Sequence, residues 1–246
     1  MERSGFGISG STLKLIAIIT MLIDHIGAVV VLPLVSFRGA VVAGMDGWEF
    51  YWLLRNIGRV SFPIFCFLLV EGFQRTGDVR KYLMRMGAFV LISEIPFDLA
   101  FRSSLVDLQY QNVFFTLCIG LFAMYLFDRL NTRLSRNGIF CFSLQILIGL
   151  GAMLLAEVLH TEYGAYGVLS ILILYTFRSQ RVLQAAAGAL SFAWELPAPL
   201  GFLPVLLYNG KRGFGMKYFF YAFYPLHLLV LHIVAESMLK HLWLQM

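Results

Sequence analysis

Leu13–Gly27 reads LKLIAIITMLIDHIG, and the apolar run continues through Val35. A helix that crosses the roughly 30 Å hydrocarbon core of a bilayer needs about 20 apolar residues. This run has that length, yet it carries Asp24 and His25 near its centre. An ionisable side chain at that depth costs about 2.5–3.5 kcal/mol on insertion scales, so each one needs a partner or a purpose. The run is also too long, and too polar at its centre, for a cleavable signal peptide, and no small-residue cleavage site follows it, so it is expected to stay attached.

The rest of the chain has the same character. Of 246 residues 59% are hydrophobic and 13% charged, with a mean hydropathy of +0.78. A soluble globular fold would lack the polar surface to face water at this balance. Apolar segments fall near 13–35, 53–74, 82–101, 113–130, 139–159 and 164–177, followed by a weaker region at 182–209 and a last run at 217–239. The expected fold is all-α: one integral membrane domain over 1–246, a polytopic bundle of about nine hydrophobic segments. Lys and Arg sit in small groups between segments, not in a stripe with aromatics. The net charge of +5 is therefore a topology signal, and nucleic acid binding is excluded.

The basic breaks are 75–81, 129–136, 178–181 and 211–217, whereas 102–112 and 160–163 hold one Arg between them. The positive-inside rule places the basic set, with Arg3, Lys14 and the amino terminus, in the cytoplasm. Both ends of 182–209 are then on one side, and Pro197, Pro199 and Gly201 divide it into halves of about 13 residues, each roughly 20 Å as helix. That predicts a broken or re-entrant helical hairpin lining a cavity, or else two thin, tilted spans without a role in function. Cys66, Cys118 and Cys141 lie in or beside apolar segments and read as small hydrophobes, with no disulfide framework and no metal-ligand spacing.

The ionisable residues fall into groups. Asp24 and His25 are adjacent and point about 100° apart, so they cannot share a face. Lys14 and His25 are eleven residues apart, close to three turns, which puts a cation and an imidazole on one stripe about 16 Å apart. An imidazole with a pKa near 6.5 suits a general base; the alternative is a buried histidine paired to Asp24 or to a neighbouring helix, with Lys14 snorkelling. Arg55 and Arg59, Glu71 and Arg75, and Glu94 and Asp98 are each i,i+4 pairs, the last straddling Pro96. Matching depths on antiparallel neighbours pair Arg59 with Glu94, as a site element or as a structural ion pair. Tyr224 and His227 are i,i+3 and can face one site. Gln111-Asn112 precede a helix and fit either substrate donors or a cap. Gly5–Gly10 matches G-x-G-x-x-G, but no strand precedes it and a span follows, so dinucleotide binding is rejected; Ser11 is the expected N-cap.

Leu13–Gly27, Arg55–Gly72 (RNIGRVSFPIFCFLLVEG), Leu91–Asp98 (LISEIPFD), Gln111–Leu117 (QNVFFTL) and Tyr221–Leu231 (YAFYPLHLLVL) together resemble the TraX family, named for the F-pilin acetylase. The Lys14-x10-His25 spacing is also similar to the basic-x10-His pattern of the acyltransferase-3 membrane enzymes, from which this chain departs in having Lys14 where Arg is commoner, so the planar fork for bidentate phosphate recognition is missing at that position. The resemblance implies a bacterial inner-membrane acyltransferase using acetyl-CoA, with no metal. It implies His25 as the essential residue, and Lys14 with neighbouring cations, for which Arg55 and Arg75 beside Glu71 are the candidates, at the coenzyme. Asp24, or a carboxylate such as Glu94 or Asp98, would orient the imidazole, and Arg59, Tyr224 or His227 would stabilise the oxyanion. The acceptor stays open between a pilin-like peptide amino terminus, a glycan and a lipid, and nothing in the sequence indicates an oligomer. The rival reading is a proton-coupled transporter or flippase using the same buried charges.

Overall fold

The computed structural model describes residues 7–38, 41–42, 44–134, 138–215 and 217–244. The described chain is helical apart from one short hairpin, β1 Val41–Val42 with β2 Met45–Asp46. The first segment is α1 Gly10–His25, a π-helical turn Ile26–Val31, and α2 Leu32–Arg38. Then come α3 Gly47–Gly58, α4 Ser61–Arg75, α5 Val79–Arg102, α6 Val113–Arg133, α7 Ile139–Val158, α8 Gly164–Thr176 and α9 Arg181–Ser191. A 3₁₀ turn Ala198–Gly201 leads into α10 Phe202–Leu206, and α11 Lys217–Leu244 closes the fold.

Among the described residues, five stretches are long and apolar enough to cross a membrane: Gly10–Ser36, Gly47–Arg75, Val113–Arg133, Ile139–Val158 and Phe219–Leu242. The chain is a membrane protein, and five of its expected hydrophobic segments meet that length and apolarity. Helix α5 has 24 residues and forms unbroken through Pro96, yet Arg80, Lys81, Arg85, Glu94, Asp98 and Arg102 make it too charged to qualify. Helix α8, at 13 residues, reaches about 20 Å. Region 182–209 is not two equal halves either. Its helical part stops at Ser191, ahead of the prolines, and only five residues of α-helix follow the 3₁₀ turn.

The chain forms two compact units interleaved in sequence, 1–65 with 95–106 and 192–246, and 66–94 with 107–191. In the first, α1 packs against α3 and α11. Lipid is as apolar as the side chains, so helices here are held by close packing and polar contacts, not by transfer from water. Small residues supply the packing: a Cβ on Gly58 would lie 2.1 Å from Cβ of Asp24, and one on Gly27 would lie 3.1 Å from Cβ of Leu54. Ser61 adds a polar link, its Oγ donating to the Ala17 carbonyl at 2.9 Å. Val29 and Val30 of the π turn form a buried cluster with Leu231 and Ala235 of α11.

The amino-terminal turn is clasped by the loop before α11. Ile8 bridges Tyr208, and the amides of Gly10 and Ser11 donate to the carbonyls of Lys211 and Arg212 at 2.8 and 3.0 Å. The N-cap of α1 is Ser9, which accepts from the Thr12 amide at 3.2 Å. Ser11 instead lies inside the first turn, where its Oγ accepts from the Phe214 amide at 3.2 Å. Two segments assigned by charge to the same side of the membrane therefore meet.

In the second unit, α6, α7, α8 and α9 pack together, with Gly120 under Ile171 and Gly149 under Leu172. Helix α7 leaves Phe140, Leu147, Leu150 and Leu154 exposed, the surface expected of a helix against lipid. The two Arg-poor loops also meet: the Gln111 amide donates to the His160 carbonyl at 3.0 Å, and the Glu162 amide to the Gln111 carbonyl at 2.9 Å. Cys66 and Cys141 are buried free thiols, and Cys118 is half-buried and free.

Candidate functional site

One stripe of α1 faces one stripe of α11 within the first unit. Helix α1 is unbroken from Lys14 to His25, so the three-turn spacing holds. At the basic end, the Lys14 ammonium sits 5.2 Å from the Phe220 ring centroid. Three turns on, at the last α-helical residue before the π turn, His25 meets His227. Nδ1 of His25 and Nε2 of His227 are 2.7 Å apart. The two rings are parallel to within 2°, with centroids 5.0 Å apart. With nitrogens that close, this is edge-to-edge geometry in nearly one plane and not face stacking.

The pair is enclosed. His25 is 5% exposed and His227 8%, with Phe101 edge-on to His25 at 5.4 Å and Tyr224 at 6.1 Å between centroids. Phe223 lies nearly parallel to the His227 ring, and the Phe223 carbonyl is 2.7 Å from Nδ1 of His227. Both nitrogens of His227 are thus engaged, which leaves it no N–H for an oxyanion. π-helical turns are rare and occur often at functional sites; this one starts at the residue after His25.

Asp24 takes a different direction from His25, as adjacency requires. It forms an ion pair with Arg55 of α3, so the group that contacts the imidazole edge is His227 and not Asp24. Arg55 lies along Gly27, with its Cδ 3.7 Å from where a Cβ would be. This ties Arg55 to the Asp24 level of α1 and removes it from the Lys14 end where a coenzyme role would put it.

Arg59 falls in the break between α3 and α4, and its Nη1 lies 2.6 Å from Oε1 of Glu195. Glu195 follows α9 in the turn region before the prolines, and sequence reasoning missed it. A single carboxylate in an otherwise apolar run was the available signal, by the cost argument applied to Asp24. Gly201 completes this contact: a Cβ there would come 2.7 Å from the Val60 carbonyl oxygen. The two interrupted elements thus contact each other through an ion pair and a close backbone approach.

The remaining candidates lie elsewhere. Asp98 belongs to the first unit and is fully buried. In the second unit, Glu94 accepts from the Asn112 side chain, which also donates to the Val90 carbonyl at 3.0 Å and caps α6 by accepting from the Phe114 amide at 2.9 Å. The capping alternative for Asn112 is the one observed. Glu71 is ion-paired at 3.0 Å with both Arg75 and Arg181, and the Arg181 guanidinium lies 4.5 Å from the Phe67 ring centroid.

The model of the family described as "TraX protein" matches residues 9–235. The chain belongs to the TraX family. It is also 32% identical, over 91% of its own length and 94% of the relative's, to a Dichelobacter nodosus protein named "Probable fimbrial assembly protein FimC, serogroup H1". No solved structure matches. In this TraX-family chain, the matched region contains every residue of the Lys14, His25, Tyr224 and His227 stripe.

Proposed function

We propose that the protein is a membrane acyltransferase that moves an acyl group, acetyl in the first instance, from a coenzyme A thioester to an amine or hydroxyl acceptor, with His25 as general base. The observation that carries this reading is the buried His25–His227 pair at the head of the stripe that begins at Lys14. Membership of the TraX family and the name of the relative support an acceptor among fimbrial or pilin-like subunits, with a peptide amino terminus as the first to test.

The amino terminus and the 207–214 loop face the cytoplasm in this reading, at the inner membrane. The clasp puts Lys211 and Arg212 at the same end of the unit as Lys14, which gives coenzyme phosphates three cations. The pantetheine arm is comparable in length to the Lys14–His25 stripe. His25 takes a proton from the acceptor as the acceptor's lone pair forms a bond to the thioester carbonyl carbon. Collapse breaks the C–S bond, and the leaving thiolate recovers that proton as free coenzyme A. Tyr224, beside the imidazole, is the side chain assigned to the oxyanion. No role is given to Glu71, Arg75, Glu94 or Asp98.

The test is thiol release from acetyl-CoA by the detergent-purified protein, with and without a membrane extract or a pilin-like peptide. Acceptor-dependent release that is lost in His25→Ala supports the reading. No release, together with no coenzyme A binding, would sink it and bring the transporter forward.

A further inference from the structure

We infer that His227 is a positioning residue that holds His25 in its Nδ1–H tautomer, so that Nε2 of His25 is the proton-accepting nitrogen. The inference rests on His25 being the base of the proposed reaction, and it assigns the atom and the group that prepares it.

The assignment follows from one fixed acceptor. A backbone carbonyl can only accept, so the 2.7 Å contact between the Phe223 oxygen and Nδ1 of His227 puts the proton of His227 on Nδ1. A neutral imidazole has one donor and one acceptor, which leaves Nε2 of His227 with a lone pair. That lone pair faces Nδ1 of His25 at 2.7 Å, and two lone pairs cannot share such a contact. Nδ1 of His25 therefore carries the hydrogen, and its Nε2 is bare.

The inverse arrangement, with His227 protonated and donating to His25, needs a cation in this enclosure. Charge buried without a partner is strongly disfavoured. The rings are lined by Phe101, Phe223 and Tyr224, and among the described residues no carboxylate hydrogen-bonds either ring. The nearest acid along α1, Asp24, is engaged by Arg55. Both histidines are thus neutral at rest. The coplanar geometry also fixes the plane of the His25 ring, the role a carboxylate has in most histidine-base sites. During turnover the proton from the acceptor goes onto Nε2 of His25 and from there to the leaving thiolate, while the Nδ1 hydrogen stays in its bond to His227.

The experiment is nitrogen NMR of the full-length purified protein labelled with ¹⁵N-histidine, in which protonated and bare ring nitrogens resonate far apart. In the unmodified protein, His25 should show a protonated Nδ1 and a bare Nε2; the opposite pattern overturns the inference without any variant being made. His227→Gln keeps an acceptor oxygen near the place of Nε2 but cannot carry a proton, and His227→Phe removes the acceptor. Expected results are an unchanged His25 tautomer and kcat within about tenfold for Gln, but loss of that tautomer and about a hundredfold or greater fall in kcat for Phe, with KM for acetyl-CoA little moved. Equal loss in both variants, or a His25 tautomer indifferent to His227→Phe, overturns it. The predicted tautomer in a protein that transfers no acyl group upholds the assignment and sinks the reaction instead.

Discussion

Arg59 and Glu195 form an ion pair across two interrupted elements, the guanidinium from the α3–α4 break and the carboxylate from the turns after α9, with 2.6 Å between Nη1 and Oε1. Cutting one partner removes the closest opposite charge from a half-buried group in a cluster that also holds Asp24 and Arg55, which is destabilising. Arg59→Ala and Glu195→Ala should each lower the thermal stability of the detergent-solubilised protein, and the double variant should lose less than their sum. A coupling of about 1–3 kcal/mol is expected from a double-mutant cycle; additive losses would mean that the pair holds nothing together.

Gly58 is required by its neighbour. A Cβ would overlap Cβ, Cγ and Oδ1 of Asp24 at 2.1–2.4 Å, and the short Asp side chain can yield only by leaving Arg55. Gly58→Ala should cost about 1–3 kcal/mol or more. Gly87, inside α5 with nothing within 4 Å of an added Cβ, is the control: Ala there should be neutral, or stabilising by up to about 1 kcal/mol. Equal effects at the two sites would contradict the packing.

Lys14 is placed to bind a coenzyme phosphate and not to touch the reacting atoms. Lys14→Ala should raise KM for acetyl-CoA by roughly one order of magnitude with kcat nearly unchanged, the mark of binding shared by ground and transition states. A fall in kcat at constant KM would move Lys14 into the chemistry.

Sidedness is testable with a membrane-impermeant maleimide in a background without the three native cysteines. Leu108→Cys, in an Arg-poor loop and 80% exposed, should label only from outside intact cells, and Lys211→Cys only after the membrane is opened. Labelling of both from one side would overturn the topology.

Asp78 caps α5 by accepting the Lys81 amide at 3.1 Å, and that bond, with the Lys81 charge, holds its carboxyl below the usual range. A carboxylate depressed in the folded state contributes fully above its ordinary value near 4 and loses that contribution as pH falls through the depressed one. The protection of the Lys81 amide against hydrogen exchange, relative to the intrinsic rate at each pH, should therefore fall in that acid window, and Asp78→Asn, which keeps an acceptor without the charge, should abolish the dependence.

Much of the site could be read from the chain. The unbroken α1 between Lys14 and His25, the shared face of Tyr224 and His227, and the Glu71–Arg75 pair all follow from helical periodicity, which is local. The partners of Arg59, Asp24 and His25 did not follow, because each lies 31 residues or more away in sequence on an element whose rotation about its own axis is set by packing. Matched depth alone pairs Arg59 with Glu94. Depth says which side chains are level, not which face each other, and Glu195 supplied a level carboxylate from the segment that looked least regular. Five long apolar stretches are found among the described residues where about nine segments are expected, and in the proline-bearing run 182–209 the place where the helix stops depends on what receives the broken backbone.

The sequence by itself determined that lipid is the solvent, that the chain is helical, which loops carry the basic residues, and that His25 and Lys14 share a stripe. These are consequences of composition, charge bias and the pitch of one helix. Only the tertiary structure decided that His25 is held by a second imidazole. Hydrogen bonds between helices, such as the one between Nδ1 of His25 and Nε2 of His227, exist only once α1 and α11 have packed to within contact, and no single helix carries that information.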